Sequence, residues 1–369
     1  MLIRHFTSTY LHDIEIQHIN PESLRHTVME TPLRICHFTA SRGLGRGEVY
    51  VDLANAMATS DLPVEVGLLA PVRPLYRDRL SPRVKLMEYH ARNTRNNPFL
   101  WKELAAQINA FAPDLVHTHF AKATEIYRRL NPFLRKPFVA TKHNPRKGAV
   151  YEKVRNVIAV SKVVQDSVRH GNATLIYNGI VPEHPARQAR TDGDSIRLLC
   201  VGRLDPIKGY DRLITILKTV DLPWQLTILG EGTQRAELET LVSSLGLSDR
   251  VSLPGFDKDV ARQMANCDIC IFSSLSEGCS IAMLEAMNYA PLVISTRTGL
   301  ALEIFPDWLL LDLDNPQTLA AAIREYRERQ ARFSEWVTPV LPDFHMENAV
   351  RQHLELYRKI ISGAGAHGA

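Results

Sequence analysis

The stretch IRLLCVGRLDPIKGYDRLITILKTVDLPWQLTILGEG, residues 196–232, contains one complete strand–helix–strand pattern. Apolar runs at 196–201 and 225–229 predict two strands, and the amphipathic run at 208–219 predicts a helix between them. Strands that alternate with helices are typical of parallel βαβ units. The loop VGRLDPIKG at 201–209 follows the first strand, and open parallel sheets bind their ligands beyond such strand ends. We therefore expect an α/β fold whose chemistry lies at the turns between strands and helices.

The same alternation continues on both sides of this stretch. Toward the N-terminus, strands are predicted at 33–38, 64–70, 84–89, 114–118, 138–142 and 157–160, with helices such as 48–59 and 100–111 between them. Toward the C-terminus, strands are predicted at 251–253, 269–273, 292–295 and 309–311, and helices at 233–245, from about residue 280, at 317–333 and at 346–361. This order predicts two doubly wound, Rossmann-like domains that face each other across a cleft.

The length of 369 residues is also that of two domains, because single hydrophobic cores stop growing at roughly 250–300 residues. The polar stretch HPARQARTDGDS at 184–195 has no large apolar residue and is predicted to be a linker. The first domain then spans 1–183, with a surface arm at 1–31, and the second spans 196–345. The remaining residues, 346–369, are predicted to form a closing helix that packs back across the cleft, followed by a short tail.

The composition is that of a soluble globular protein, with 45% apolar and 23% charged residues, which excludes a disordered, collagen-like or disulfide-rich chain. The five cysteines predict reduced, buried thiols. Cys267 and Cys270 are not expected to form a redox motif, because they lie at the start of a strand. The sequence contains no run of about 18 apolar residues, and its first residues do not resemble a signal peptide. A cytoplasmic protein is therefore expected.

Basic residues are concentrated in the first domain. Residues 73–155 contain 18 Lys or Arg against 6 Asp or Glu, a local net charge of +12, although the whole chain carries only +4. This asymmetry indicates an anionic partner, either a membrane surface or a phosphorylated lipid, unless the charges form only a solvated face. Nucleic acid is not expected as a partner, because no nucleic-acid-binding motif accompanies the charge.

A glycine-rich loop, SRGLGRGE at 41–48, separates the first predicted strand from its helix. Glycines allow a ligand to approach the backbone closely, and the helix N-terminus behind them favours an anion. Gly43, Gly45 and Gly47 have the spacing Gly-x-Gly-x-Gly, which differs from the dinucleotide pattern Gly-x-Gly-x-x-Gly and makes a nicotinamide site improbable. A flexible turn without a ligand is the alternative.

Two loops of the second domain have the residues of a phosphate site. Arg203 and Lys208, five positions apart on one loop, offer a fork and a point charge to a diphosphate, although a solvated surface pair would look the same. In the second loop, Ser280 is a good N-cap for a helix beginning at Ile281, whose first-turn N–H groups favour a phosphate. Glu277 on that loop and Glu285 in the helix could reach opposite ends of one ligand, unless Glu285 faces solvent.

Two histidines end one predicted strand. His117 and His119 share a face of the strand, and with His143 they could form a three-histidine zinc site, although we see no fourth ligand. A histidine that faces the cleft from the strand end is the better interpretation, and a core or surface histidine is the alternative.

These motifs, in this order, resemble those of retaining glycosyltransferases of family 4, which have the GT-B fold. The resemblance covers about residues 33–360, and the second domain is its specific part. It rests on these segments: 43–48, 114–119, 159–161, 178–179, 201–203 with 208–209, 229–232, and 277–278 through 285–287. Four positions depart from the family pattern and bear on which sugar is transferred, namely Tyr177, Cys279, the segment NYAP at 288–291 and Leu300.

The resemblance implies a role for each candidate residue. The residues implied to be catalytic, near the transferred sugar, are Glu277 and His119. Those implied to bind the donor diphosphate are Arg203, Lys208, Ser280, Ile281 and Gly45. Those implied to bind the ribose and base are Glu285, Gly230, Gly255 and Phe256. Those implied to lie on the acceptor side are Gly43, Gly47 and His143.

The implied reaction moves a hexose or N-acetylhexosamine from a nucleotide diphosphate sugar, with UDP the favoured nucleotide, to a glycan or lipid-linked acceptor. The resemblance favours synthesis of lipopolysaccharide or another cell-envelope polysaccharide, at the inner face of the cytoplasmic membrane. No cofactor and no metal are expected, because the cations that face the diphosphate are on the protein. A nucleotide-sugar epimerase of the same fold and a non-catalytic sugar-binding protein are the alternatives.

Overall fold

The structure, a computed structural model, describes residues 31–43, 48–146, 148–182 and 195–365. Seven parallel strands form the first sheet in the order β3-β2-β1-β4-β5-β6-β7. They are β1 (Leu33–Thr39), β2 (Val64–Pro71), β3 (Lys85–Tyr89), β4 (Leu115–His119), β5 (Phe138–Lys142), β6 (Val157–Ala159) and β7 (Ala173–Leu175). The helices among them are α1 (Val49–Thr59), α2 (Pro98–Phe111), α3 (Phe120–Leu134) and α4 (Lys162–Asp166). The order reverses beside β1, which creates a crevice at the carboxyl ends of β1 and β4.

Six parallel strands form the second sheet in the order β10-β9-β8-β11-β12-β13. They are β8 (Ile196–Val201), β9 (Trp224–Leu229), β10 (Val251–Gly255), β11 (Ile269–Phe272), β12 (Val293–Thr296) and β13 (Leu310–Leu311). The helices are α5 (Tyr210–Leu217), α6 (Arg235–Ser244), α7 (Val260–Asn266), α8 (Ile281–Tyr289), α9 (Gly299–Ile304), α10 (Pro316–Arg324), α11 (Tyr326–Val337) and α12 (Met346–Gly365). The predicted GT-B architecture is confirmed.

The last helix, α12, packs on the first sheet rather than on the second. Its buried residues Met346, Val350 and Leu354 share one core with Ile35 of β1 and Leu53 of α1. The other face of the same sheet packs against α2 and α3 in a separate core. The first domain is thus completed by residues that follow the second sheet in the chain.

Two details of the predicted helices are wrong. Lys208 was expected to open a helix, but Pro206–Lys208 is a short 3-10 turn, and α5 begins at Tyr210 after the left-handed Gly209 (φ +63°). The single helix expected at 317–333 is two helices, because Glu325 has non-helical angles (φ −97°, ψ 14°) between α10 and α11.

Other expectations concern residues whose structure is not described. The predicted surface arm lies outside the described residues except for Thr31, and the predicted linker does so except for Ser195. Within the described part of the chain, no helix is both long enough and apolar enough to cross a bilayer. All five cysteines are buried and free, and burial raises the pKa of the Cys267 and Cys270 thiols, which disfavours thiolate chemistry there.

Candidate active site at the domain interface

The loops that follow β8 and β11 lie side by side, because these two strands are neighbours in the second sheet. Lys208 in the first loop forms an ion pair with Glu277 in the second, with 2.5 Å between Nζ and Oε1. Ser274 Oγ donates a hydrogen bond of 2.8 Å to the same carboxylate oxygen. The side chains of Lys208 and Glu277 are only 16% and 21% exposed, so water screens this pair less than a surface pair. The structure therefore brings together two of the predicted site residues.

Arg203 lies on the first loop but does not join this pair. Its guanidinium contacts Asp205 at 2.9 Å, and its side chain is 63% exposed. It lines an interdomain cleft of about 1310 Å³, together with residues from both ends of the predicted donor site. Both cations thus have a carboxylate partner, but the Arg203 side chain is far more exposed than that of Lys208 and is accessible to an anion in this cleft.

The first turn of α8 lines the same cleft. Helix α8 begins at Ile281 as predicted, and the Ser280 side chain makes no capping hydrogen bond. Ile281 and Glu285 line the cleft, as do Gly230 and the exposed ring of Phe256. Gly255 is not among the residues that line the cleft, but its carbonyl accepts a hydrogen bond of 2.8 Å from the N–H of Gly230, which does line it. The helix thus presents its positive end and one carboxylate to the cleft.

The first domain contributes His119 and His143 at the ends of β4 and β5. His119 is 1% exposed, and its Nε2 lies 2.9 Å from Nδ1 of His37. Burial, and then the neighbouring His37, hold the pKa of His119 well below its ordinary value, and burial lowers that of His143 to about 4. Both imidazoles are therefore neutral at pH 7. The prediction that His119 faces the cleft is wrong, because its side chain is buried and its ring packs against those of His37 and Tyr50.

The loop between β11 and α8 contacts the first domain directly. A Cβ added at Gly278 would fall 2.3 Å from the backbone oxygen of His143, so only glycine allows this approach. Asn178 Nδ2 also donates a hydrogen bond of 3.0 Å to the backbone oxygen of Cys279. These contacts hold Glu277 and its loop at the edge of the first sheet.

Three buried imidazoles converge beneath this edge. The ligand atoms of His37, His117 and His119 lie within 4.8 Å of one another. The zinc alternative considered from the sequence had His143 in place of His37. His117 is hydrogen-bonded through Nδ1 to Tyr357 Oη (2.6 Å) and through Nε2 to Thr141 Oγ1 (2.5 Å). Hydroxyl groups thus occupy both of its nitrogens.

The glycine-rich loop is described only in part. Gly43 packs so closely against the Tyr76 ring that a Cβ added at this glycine would fall 2.7 Å from the nearest ring carbon. Its N–H donates a hydrogen bond of 3.0 Å to Ser41 Oγ. Gly45 and Gly47 lie outside the described residues. The proximity of this loop to a donor therefore stays a prediction.

Sequence reasoning assigned no role to Glu303, which joins the two domains. This residue of α9 accepts hydrogen bonds from Val163 N–H (3.1 Å), at the start of α4, and from Tyr177 Oη (3.2 Å). Burial raises the pKa of its carboxyl group. The signal in the sequence was Tyr177, one of the four departures from the family pattern.

Two family models match this chain in succession. Residues 45–184 match the family described as Glycosyltransferase Family 4, and residues 183–336 match the family described as Glycosyl transferases group 1. Together the two matches cover every strand of both sheets except β1, and they include the ion pair between Lys208 and Glu277. The chain belongs to the family 4 glycosyltransferases.

Relatives of this chain carry the names of specific glycosyltransferases. The N-acetylgalactosamine-N,N'-diacetylbacillosaminyl-diphospho-undecaprenol 4-alpha-N-acetylgalactosaminyltransferase of Campylobacter jejuni is 32% identical over 170 residues, 44% of this chain and 46% of that protein. The chain thus spans less than half the length of that relative. LpsE of Rhizobium meliloti, a lipopolysaccharide core biosynthesis glycosyltransferase, is 25% identical over 77% of this chain and 83% of its own.

Solved structures show the same fold. HepE from Anabaena, crystallised with UDP-glucose, superposes with a TM-score of 0.75 at 19% identity, over 89% of this chain and all of that one. At this identity the likeness concerns the arrangement of the two domains. It agrees with the two sheets and the cleft described above.

Proposed function

We propose that this family 4 glycosyltransferase moves a hexose or N-acetylhexosamine from a UDP-sugar, with retention, to a glycan or lipid-linked acceptor of cell-envelope polysaccharide or lipopolysaccharide. The pair formed by Lys208 and Glu277 beside the first turn of α8 is the observation that carries the proposal. It puts a cation, a helix N-terminus and a carboxylate in one shielded site between two domains. The names of the Campylobacter and Rhizobium relatives support the acceptor class, and the UDP-glucose bound to HepE supports the nucleotide.

The leaving group of this reaction is a nucleotide diphosphate, which gains negative charge as the glycosidic bond breaks. In this proposal Lys208, Arg203 and the first-turn N–H groups of α8 stabilise that charge. The arriving diphosphate would replace Glu277 as the partner of Lys208. We propose that these groups suffice without a metal ion.

Glu277, once released from Lys208, faces a sugar that is becoming an oxocarbenium ion. A carboxylate stabilises that positive charge. Glu285, which lines the cleft as Phe256 does, binds the ribose in this proposal. We assign attack to the same face from which the diphosphate leaves. The bond from C1 to the phosphate oxygen breaks, the bond from C1 to the acceptor oxygen forms, and the acceptor proton passes to the leaving phosphate.

A thermal-shift screen against UDP-, GDP- and ADP-sugars tests the donor site. A ligand at about 100 times its Kd stabilises the folded protein by about 2.7 kcal/mol. We expect a shift with UDP-sugars in wild type that is weakened in Arg203→Ala and Glu285→Ala. Arg297→Ala, which removes a surface pair with Asp307 on the second domain, is the matched control and keeps the full shift.

Product analysis separates the alternatives. Conversion of the nucleotide sugar to an isomer without acceptor would indicate an epimerase, and binding without turnover on any lipid-linked glycan would indicate a sugar-binding protein. The absence of a shift with every nucleotide sugar, with and without membrane glycolipid, would contradict the donor site itself.

We further propose that the first domain binds the anionic inner face of the cytoplasmic membrane. Phe99 at the start of α2 and Phe133 near the end of α3 are 76% and 77% exposed. Arg129 of α3 donates a hydrogen bond of 2.6 Å to Asn96, which precedes α2, so these two helix ends are adjacent. Basic side chains nearby supply the attraction to anionic lipid. Trp101 of α2 is left out of this surface, because its indole nitrogen is buried.

Vesicle co-sedimentation tests this surface. Vesicles of phosphatidylglycerol and phosphatidylethanolamine should sediment the protein at 50 mM salt, and binding should fall steeply at 500 mM because the attraction is screened. Phe99→Ser with Phe133→Ser should reduce binding, whereas Leu302→Ser, an exposed residue of α9, should not. Salt-independent partitioning would contradict the proposed electrostatic attachment.

A further inference from the structure

Phe120 follows His119 at the carboxyl end of β4 and has a backbone conformation that bulky residues rarely adopt. Its φ is +66°, in the left-handed region where Cβ crowds the carbonyl oxygen. Three other described residues share such an angle. Ala112 and Arg135 each end a helix, where it is common, and Arg73 lies in a bend after β2. Phe120 instead begins helix α3. A conformation of this kind at a strand end beside an active site indicates a constraint from function.

The contacts of the ring fix its position. It stacks on the His143 ring with centroids 4.5 Å apart and an interplanar angle of 33°, and it meets Tyr50 edge-on at 6.0 Å. Tyr50 and His143 also flank His119, at 5.2 and 5.9 Å between centroids. Phe120 therefore extends a packed set of rings outward from the buried His119.

Phe120 is also the most exposed ring of this set. It is 38% exposed, whereas His119 is 1% exposed. The imidazole on which it stacks belongs to His143, whose backbone oxygen contacts the Gly278 position beside Glu277. The ring thus lies at the edge of the first sheet that faces the candidate catalytic carboxylate.

We propose that Phe120 is the first-domain residue that contacts the transferred sugar. Its exposed ring packs against the C–H face of the pyranose, while Glu277 approaches the sugar from the second domain. This rests on the proposed function and gives Phe120 the contact that the resemblance implied for His119, which becomes a buried positioning residue. An aromatic face also attracts the positive charge that develops on the sugar during transfer. The left-handed turn keeps the ring at the sheet edge rather than inside the core.

Two substitutions test the proposal, with the best nucleotide sugar of the screen above and its free nucleotide as probes. Phe120→Leu removes the ring but keeps an apolar side chain that must adopt the same left-handed backbone angle. Phe120→Tyr keeps the ring. We expect Phe120→Leu to bind the free nucleotide within twofold of wild type and to lose at least tenfold in kcat/KM. Phe120→Tyr should stay within threefold. Ala112→Gly, which relieves a left-handed residue away from the site, should leave kcat/KM unchanged.

Three results would overturn the proposal, and they differ in what else they affect. Wild-type kcat/KM in Phe120→Leu, with activity lost in Glu277→Gln, would overturn the sugar contact and leave the proposed function intact. A parallel loss of Tm and nucleotide affinity, not rescued by Phe120→Tyr, would make Phe120 a structural residue only. A wild-type protein that binds no nucleotide sugar would overturn the contact together with the function on which it rests.

Discussion

At the scale of single residues, the pair between Lys208 and Glu277 holds together two groups that a donor would separate. Each is less than a quarter exposed, so neither charge can be removed without affecting the other. The Glu277 carboxylate is paired with the Lys208 ammonium, the cation that a donor diphosphate would need. In the proposed reaction, donor binding and the release of Glu277 from Lys208 are therefore one event.

Glu277→Gln tests this competition. The amide cannot stabilise a positive charge on the sugar, so we expect kcat to fall by about 10²–10³-fold, as when one charge-stabilising group is lost. The affinity for the free nucleotide should stay equal or increase, because Lys208 loses its intramolecular competitor. Calorimetric titration with UDP, beside initial rates, measures both quantities. Weaker nucleotide binding in the variant would show that Glu277 supports the phosphate site rather than competing for it.

Buried histidines predict a strong dependence of stability on pH. Burial lowers the pKa of His37 to about 3 and those of His143 and His353 to about 4, whereas an unfolded histidine titrates near 6.5. The unfolded state therefore binds more protons below pH 6.5, and the free energy of unfolding decreases as pH falls. Each histidine contributes about 1.4 kcal/mol per pH unit.

Urea unfolding at pH 7.5 and pH 5.5 measures this effect. For these three residues we expect a loss of about 4 kcal/mol between the two pH values. In His353→Leu, leucine replaces a buried ring on α12. The free energy of unfolding should then depend on pH less steeply, by about 1.4 kcal/mol per pH unit. Equal slopes in wild type and in His353→Leu would contradict neutral buried imidazoles.

The sequence predicted most charged site residues but not their partners. Lys208 and Glu277 lie between a strand and a helix, and Glu285 lies in the helix α8 that follows. Each belongs to a local pattern of a strand, a turn and a helix start that can be found by spacing alone. His37 and Phe120 carry no such signature. The position of His37 depends on the register of β1 with β4, which places it beside His117. The position of Phe120 depends on a left-handed backbone angle that its residue type does not predict.

At the scale of elements, the loop between β11 and α8 is clamped between domains. Gly278 allows the backbone of this loop to touch His143, and Asn178 fixes the next residue. The loop carries Glu277, so its seating decides where the carboxylate points. In the proposed reaction, a small displacement of this loop would therefore move the Glu277 carboxylate relative to the reacting carbon.

Gly278→Ala tests the clamp. The added methyl would fall 2.3 Å from a backbone oxygen, so the domains must separate at this point. We expect a loss of about 10–100-fold in kcat/KM, the scale of a misplacement of about 1 Å, and a larger radius of gyration in solution scattering. Gly363→Ala, whose Cβ would meet open space, is the matched control. An unchanged rate in Gly278→Ala would mean that the contact is not used in catalysis.

Element boundaries were the least predictable part of the fold. The apolar period of 317–333 continues across Glu325, so the pattern cannot reveal that the backbone leaves the helix there. The pattern also could not predict the 3-10 turn before α5. This turn ends at the left-handed Gly209, which packs against the Ser273 carbonyl, and such a tertiary contact is not visible in a local pattern.

At the scale of the whole molecule, α12 ties the two ends of the described chain together. It leaves the second domain and completes the core of the first, where Tyr357 is hydrogen-bonded to His117. The sequence predicted an amphipathic closing helix from its period, and it begins at Met346 as expected. The period could not identify which face of which sheet it covers, since both sheets offer apolar faces.

Leu354→Ala tests the contribution of this helix. Leu354 is 1% exposed in the core shared with the first sheet, so its truncation should destabilise the protein by about 2–5 kcal/mol. Leu356→Ala, on the same helix but only partly buried, should cost less. Urea unfolding of both variants measures the difference. Equal effects would mean that α12 is not seated on this core.

This arrangement also sets an order of events during synthesis on the ribosome. The strands of the first sheet leave the ribosome early, but the helix that covers their histidine-bearing face leaves last. At about 5–20 residues per second, the interval between β7 and the end of α12 lasts about 10–40 s. Throughout that interval Ile35, Leu115 and their neighbours have no cover from α12. The nascent first domain should therefore be a client of chaperones that bind apolar surface, and a chain released before residue 346 should aggregate rather than accumulate as a half-enzyme.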